Sequence, residues 1–119
     1  MLPPWVTRVR GASPVFFLGW IALFSLGAYA AEEVDQHRQL ELVRLVRNDC
    51  GSCHGLKLNG GLGLSLMPAA LAGKAPEGLR ETILRGRAGT AMPPWSSFLS
   101  EAEANWIVEQ LMKGFPDVH

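Results

Sequence analysis

The sequence is short of cysteine, of histidine and of any surplus of one charge. Cys50 and Cys53 are its only cysteines, and three histidines occur in 119 residues. Lys and Arg number 11 against 11 Asp and Glu, which leaves no basic excess to hold a nucleic acid. The apolar run from Val15 to Tyr29 falls short of the roughly 20 residues that span a hydrocarbon core. No internal repeat, low-complexity tract or alternating strand pattern is present, so neither a solenoid nor a sheet is expected.

What the chain does contain begins with a leader. Arg8 and Arg10 precede the apolar run, and Ala28-Tyr29-Ala30 supplies the small-x-small pattern that signal peptidase cuts. Residues 1–30 are therefore expected to be a signal peptide, removed near Ala30/Ala31, with the exported domain over 31–119 and no stable membrane insertion after cleavage. A retained anchor is the alternative. Loss of Arg8 and Arg10 with the leader leaves nine basic and eleven acidic residues. A domain of this size has a thin apolar core and needs an extra staple.

Local patterns predict an all-α fold. Glu32 to Asn48 lacks Gly and Pro, and Leu42, Leu45 and Val46 recur at helical spacing. Cys50 to Gly73 is broken by Gly51, Gly55, Gly60, Gly61, Gly63 and Gly73 and reads as a wrapped loop. A helix is expected from Pro76 to Arg85, with Pro at its first position, Leu79, Ile83 and Leu84 on one side and Gly86 as terminator. The last helix has the clearest signal: Ser100 and Glu103 form a capping box, Trp106, Ile107 and Leu111 share an apolar face, and Gly114 ends it. Trp106 is expected in the core.

Cys50-Gly51-Ser52-Cys53-His54 has the C-x-x-C-H spacing by which a chain attaches haem c. Two thiols must add across two vinyl groups of one porphyrin, and the next residue must bring an imidazole to the iron. Three other uses of the cysteines are weaker. A redox dithiol belongs after a strand in a βαβ unit, a zinc site needs more ligands than His37 and His119 offer, and a plain disulfide has no use for the adjoining His54.

The opposite side of the iron decides between an electron carrier and a ligand binder. Met92 is the candidate distal ligand, 38 residues after His54 in a Gly-Thr-Ala-Met-Pro-Pro-Trp loop. Pro93 and Pro94 stiffen that loop, and Trp95 is placed to cover a haem edge. Met67, Met112, His37 and His119 compete: Met67 and Met112 are expected to pack, and the two histidines to be solvated. For the other ring nitrogen of His54, the Pro68 carbonyl is the expected acceptor. Lys74, Arg85 and Arg87 form either a basic docking rim or merely a solvated helix end.

CGSCHG at Cys50 to Gly55, the Pro68 to Gly73 segment, Met92-Pro93-Pro94-Trp95 and the Ser100 to Gly114 helix, in this order, resemble the class I cytochromes c over nearly all of the exported domain. Leu71-Ala72-Gly73-Lys74, the Gly-Arg-Ala-Gly-Thr-Ala-Met-Pro-Pro-Trp run and Leu-Ser-Glu-Ala-Glu are similar, more narrowly, to the small cytochromes c encoded with cytochrome cd1 nitrite reductase in denitrifying bacteria. The resemblance implies first and last helices crossed over a single covalent haem c. Its thioethers would fall on Cys50 and Cys53, its proximal iron ligand on His54 and its distal ligand on Met92. It also implies a periplasmic, non-enzymatic electron carrier whose partner is cytochrome cd1 nitrite reductase or the dehydrogenase of haem d1 synthesis. A haem-based sensor or small haem enzyme with an open sixth site is the alternative. Where many class I cytochromes have Gly-Pro before the proximal-loop leucine, Leu66-Met67-Pro68 stands here.

Overall fold

The computed structural model of the chain describes residues 32–117. The leader expected at 1–30, its cleavage point and His119 lie outside the described residues. Helix α1 spans Gln36–Leu45, a π-helical turn follows at Val46–Cys50, and α2 covers Gly51–His54. A single turn, α3, forms at Pro68–Leu71, and two longer helices, α4 at Pro76–Arg85 and α5 at Glu101–Lys113, complete the order. No strand occurs among the described residues, and none of their helices is long and apolar enough to cross a membrane.

Each longer helix starts where its capping chemistry dictates. The Asp35 carboxylate accepts from the Arg38 backbone N–H at 3.1 Å, which satisfies one of the donors a helix start leaves open. Pro76 opens α4 at a position where its missing N–H costs nothing. The Ser100–Glu103 box at α5 is complete in both directions, with bonds of 3.2 and 2.8 Å. The expected ends of α4 and α5 hold as well. Two expectations fail: the first helix starts at Gln36 and not at Glu32, since Asp35 caps it, and the cysteine segment is not loop, because that helix runs on through the π turn to His54 and a further helical turn, α3, interrupts the glycine-rich stretch.

The core is a strip of leucines closed by α5. Leu42 and Val46 from the first helix meet Ala104, Ile107 and Leu111 of α5, with Leu58, Leu71, Leu84 and Leu99 filling between. Burial of such side chains contributes about 1.5–3 kcal/mol each. No polar or charged residue is buried among the described residues. Trp106 packs against this core as expected, with Phe115 edge-on at 6.3 Å between ring centres, and Met112 fills the same flank.

Two arginines hold the first helix to the end of the chain. The Arg38 guanidinium bonds Glu103 and, at 2.8 Å, Glu41. The Arg47 guanidinium donates to the Phe115 and Pro116 carbonyls at 2.9 Å, pairs with Asp117 at 2.7 Å and lies over the Phe115 ring. The hydrogen bond from Arg38 holds the Glu103 carboxyl below its ordinary value of 4.5. Because the folded value is the depressed one, this pair's stabilisation is complete above pH 4.5 and is lost as pH falls through the folded value. Arg38→Gln should therefore flatten the acid limb of a stability-versus-pH curve taken by denaturant titration. An acid limb as steep as that of the parent would show that Glu103 is not the group concerned.

Candidate functional site

The π turn brings the two thiols and the imidazole to their places. Its Gly51 N–H bonds the Val46 carbonyl, five residues back, so one extra residue is wound into the helix and the side chains after it shift around the axis. Cys50 is thereby half-buried against the core, while Cys53, one turn on, is exposed. Both thiols are free. Burial pushes the Cys50 thiol up to about 11, with Asp49 adding to the shift. A thiol held that high is a poor nucleophile at neutral pH, unlike the attacking cysteine of a redox dithiol. No group of three or more His, Cys, Asp or Glu side chains is placed to hold a metal ion among the described residues.

The loop after α2 folds back beneath His54. The Gly60 and Gly63 N–H groups donate to the carbonyls of His54 and Cys53 at 2.8 and 2.7 Å, which satisfies the helix end. Leu58 anchors the loop: it is 1% exposed and holds φ at 59°, a left-handed conformation that costs roughly 1–2 kcal/mol and is offset by its burial. Gly63 then passes directly under the imidazole, and the Leu64 carbonyl stands 2.6 Å from Nδ1 of His54. A carbonyl can only accept, so Nδ1 carries a proton, and in the neutral ring Nε2 is the nitrogen with the free lone pair.

The acceptor for His54 is thus Leu64 and not Pro68. Pro68 opens α3 instead. Gly63-Leu64 occupies the structural place that the sequence suggested for Met67-Pro68.

Met92 sits in a second ordered segment, between α4 and α5. At its base Gly86 has φ of 68°, and a Cβ there would lie 2.7 Å from the Met92 carbonyl oxygen. The Arg87 N–H donates to that oxygen at 3.2 Å. Further along, the Trp95 and Ser96 N–H groups donate to the Ile83 and Leu84 carbonyls at the end of α4. Met92 and Trp95 are both half-buried, with Trp95 packed on the core.

The competing ligands fare differently. Met112 packs on the core. Met67, expected to pack, is 44% exposed. His37 is solvated and lies 3.5 Å from Glu41. In the suggested basic rim, Arg85 is paired with Glu81, while Arg87 and Lys74 are exposed. One side chain escaped the sequence reading altogether: Nε of Arg80 is buried with no hydrogen-bond partner among the described residues, and no motif marks that position.

A flat macrocycle joined through two thioethers needs two thiols one helical turn apart and an imidazole beside them, on a small helical frame. Those are the features of this site, and the chain belongs to the class I c-type cytochromes. The family model described as cytochrome c oxidase, cbb3-type, subunit III matches residues 38–110. The chain is 48% identical to cytochrome c55X of Pseudomonas aeruginosa over 107 residues, 88% of this chain and 90% of that protein. Among solved structures it resembles the c-type cytochrome NirC, with 52% identity and a TM-score of 0.67 over 68% of this chain and 95% of that one. It is also 38% identical to dihydro-heme d1 dehydrogenase of Pseudomonas aeruginosa, over 60% of this chain but only 15% of that much longer protein. The narrower likeness read from the loop motifs is borne out in the matches to NirC and cytochrome c55X.

Proposed function

We propose that the chain is an exported one-electron carrier, with a leader at 1–30 and a single-haem domain at 31–119. In this reading Cys50 and Cys53 would form the two thioethers, and His54 through Nε2 and Met92 through its thioether would hold the iron. When bound, haem c supplies the one-electron ferric/ferrous couple. The donor set fits it: two free thiols on one helix face, an imidazole with one nitrogen unprotonated, and a soft sulfur in a rigid loop. The bond from Nδ1 of His54 to Leu64 carries the reading, since it orients the ring and makes Nε2 more basic.

The remaining residues keep this site closed rather than reactive. The Gly86 and Arg87 backbone holds Met92 from below, and Trp95, three residues on, is packed on the core. A filled coordination shell keeps the geometry alike in both oxidation states and favours fast exchange over substrate chemistry. We place it in the periplasm, beside cytochrome cd1 nitrite reductase or the dehydrogenase of haem d1 synthesis; the likeness to NirC and to a part of dihydro-heme d1 dehydrogenase supports this reading. Such redox encounters bury small interfaces.

Two measurements test the proposal. The ferric protein should show the sulfur-to-iron band at the red end of the visible spectrum, and Met92→Ala should abolish it and lower the reduction potential. A ferric wild-type protein without that band has an open or differently filled sixth site and would be a sensor or small enzyme instead. Mixing the reduced protein with each candidate partner and following its oxidation identifies the partner. Failure to exchange electrons with either would remove the denitrification role.

A further inference from the structure

The segment that carries Met92 is closed on itself by one exposed side chain. The Thr90 hydroxyl donates to the Arg87 carbonyl at 2.8 Å and accepts from the Met92 N–H at 3.3 Å. The Thr90 N–H also donates to the Arg87 carbonyl, at 3.1 Å, and the Arg87 N–H donates to the Met92 carbonyl, at 3.2 Å. Arg87 to Met92 therefore forms a ring with Thr90 as its cross-brace. Pro93 and Pro94 follow immediately and have no N–H to give. The Met92 amide is the last donor before Trp95, and Thr90 is its acceptor.

Below the ring the chain is already as close as it can come. At Gly86 a Cβ would lie 2.7 Å from the Pro93 carbonyl carbon and 2.8 Å from the Pro94 nitrogen, so the Met92–Pro94 backbone packs closely on the end of α4. Displacement of the Met92 backbone away from α4 would stretch the bond from its N–H to the Thr90 hydroxyl. Exposure matters here. A hydrogen bond made by a solvated hydroxyl contributes modestly to the stability of the whole domain, yet this one is made to the backbone of Met92 itself.

We propose that Thr90 is a positioning residue that holds the Met92 thioether in place and so sets how easily an external ligand displaces it. The proposal rests on Met92 being the distal ligand and adds to it the group that governs exchange. In that exchange the Met92 sulfur–iron bond breaks and a bond from the incoming nitrogen to the iron forms, with no electron transferred.

The test is an imidazole titration of the ferric holoprotein, followed at the sulfur-to-iron band. Thr90→Val keeps the shape of the side chain and removes both hydroxyl bonds. It should bind imidazole about fivefold more tightly, the weight of one net hydrogen bond. Thr90→Ser should bind it as the wild type does. Denaturant unfolding of the same samples separates positioning from general weakening, because a merely structural hydroxyl would move the unfolding midpoint and leave imidazole affinity alone. That pattern would overturn the proposal, as would a Val variant within about twofold of wild type, inside the weight of a single weak bond. A wild-type protein that lacks the band defeats the Met92 reading itself, whatever the Thr90 variants do.

Discussion

Replacement of Cys50 and Cys53 together by serine should give a protein whose haem is extracted by acidified organic solvent and no longer stains after denaturing electrophoresis. The wild-type pigment should survive both treatments. The same variant should lose much of its stability. A tether that keeps haem at about a thousand times its non-covalent dissociation constant stabilises the folded form by ~4 kcal/mol, a large part of what a domain this small possesses. The leucine strip around Leu42, Leu58 and Ile107 has few other sources of compensation. Serine is close to cysteine in size, so the loss would not come from packing at half-buried Cys50. Pigment that still resisted extraction from the double variant would mean that other groups attach it.

Gly63→Ala should strike the same centre from below. The added Cβ would sit 2.8 Å from both Nδ1 and Cε1 of His54 and 3.2 Å from Cγ, closer than non-bonded carbon atoms approach. Gly63 is not among the residues with positive φ, so the backbone itself accepts alanine and the effect is purely one of contact. Either the ring tilts or the loop lifts, and both break the 2.6 Å bond to the Leu64 carbonyl. Overpacking of this kind costs typically ~1–3 kcal/mol, with ~1 kcal/mol more for the hydrogen bond. Denaturant titration should register that loss. Potentiometry should show a raised reduction potential, because an imidazole deprived of its acceptor is a weaker donor and stabilises ferric iron less. An alanine variant with the parent's midpoint and potential would show that the loop does not press on the ring.

Legibility in the sequence followed how locally each feature is encoded. Helices α4 and α5 could be read off because Pro76, Gly86 and the Ser100–Glu103 box act within one turn of themselves. The C-x-x-C-H run and the Met-Pro-Pro segment are just as local. The helical path through the cysteines was hidden because the π turn adds a residue and throws the apolar repeat out of phase after Val46, and Gly51 then looks like a breaker. Helix α3, at four residues, is too short to show a period. Leu58 looked like any loop leucine, although it is the buried anchor. The acceptor for His54 was missed for a different reason: it is a main-chain oxygen, and no residue letter announces it.

The clasp made by Arg47 has a bearing on when the molecule is finished. Its partners at Phe115 and Pro116 lie 68 and 69 residues further along, and a chain is synthesised from its N-terminus. The thiol-bearing stretch just after Arg47 is therefore among the first parts to emerge and among the last to be fastened. Until Phe115 and Pro116 arrive, Arg47 has no carbonyls to grip, so this end of the first helix is fastened only once nearly all of the described chain is present.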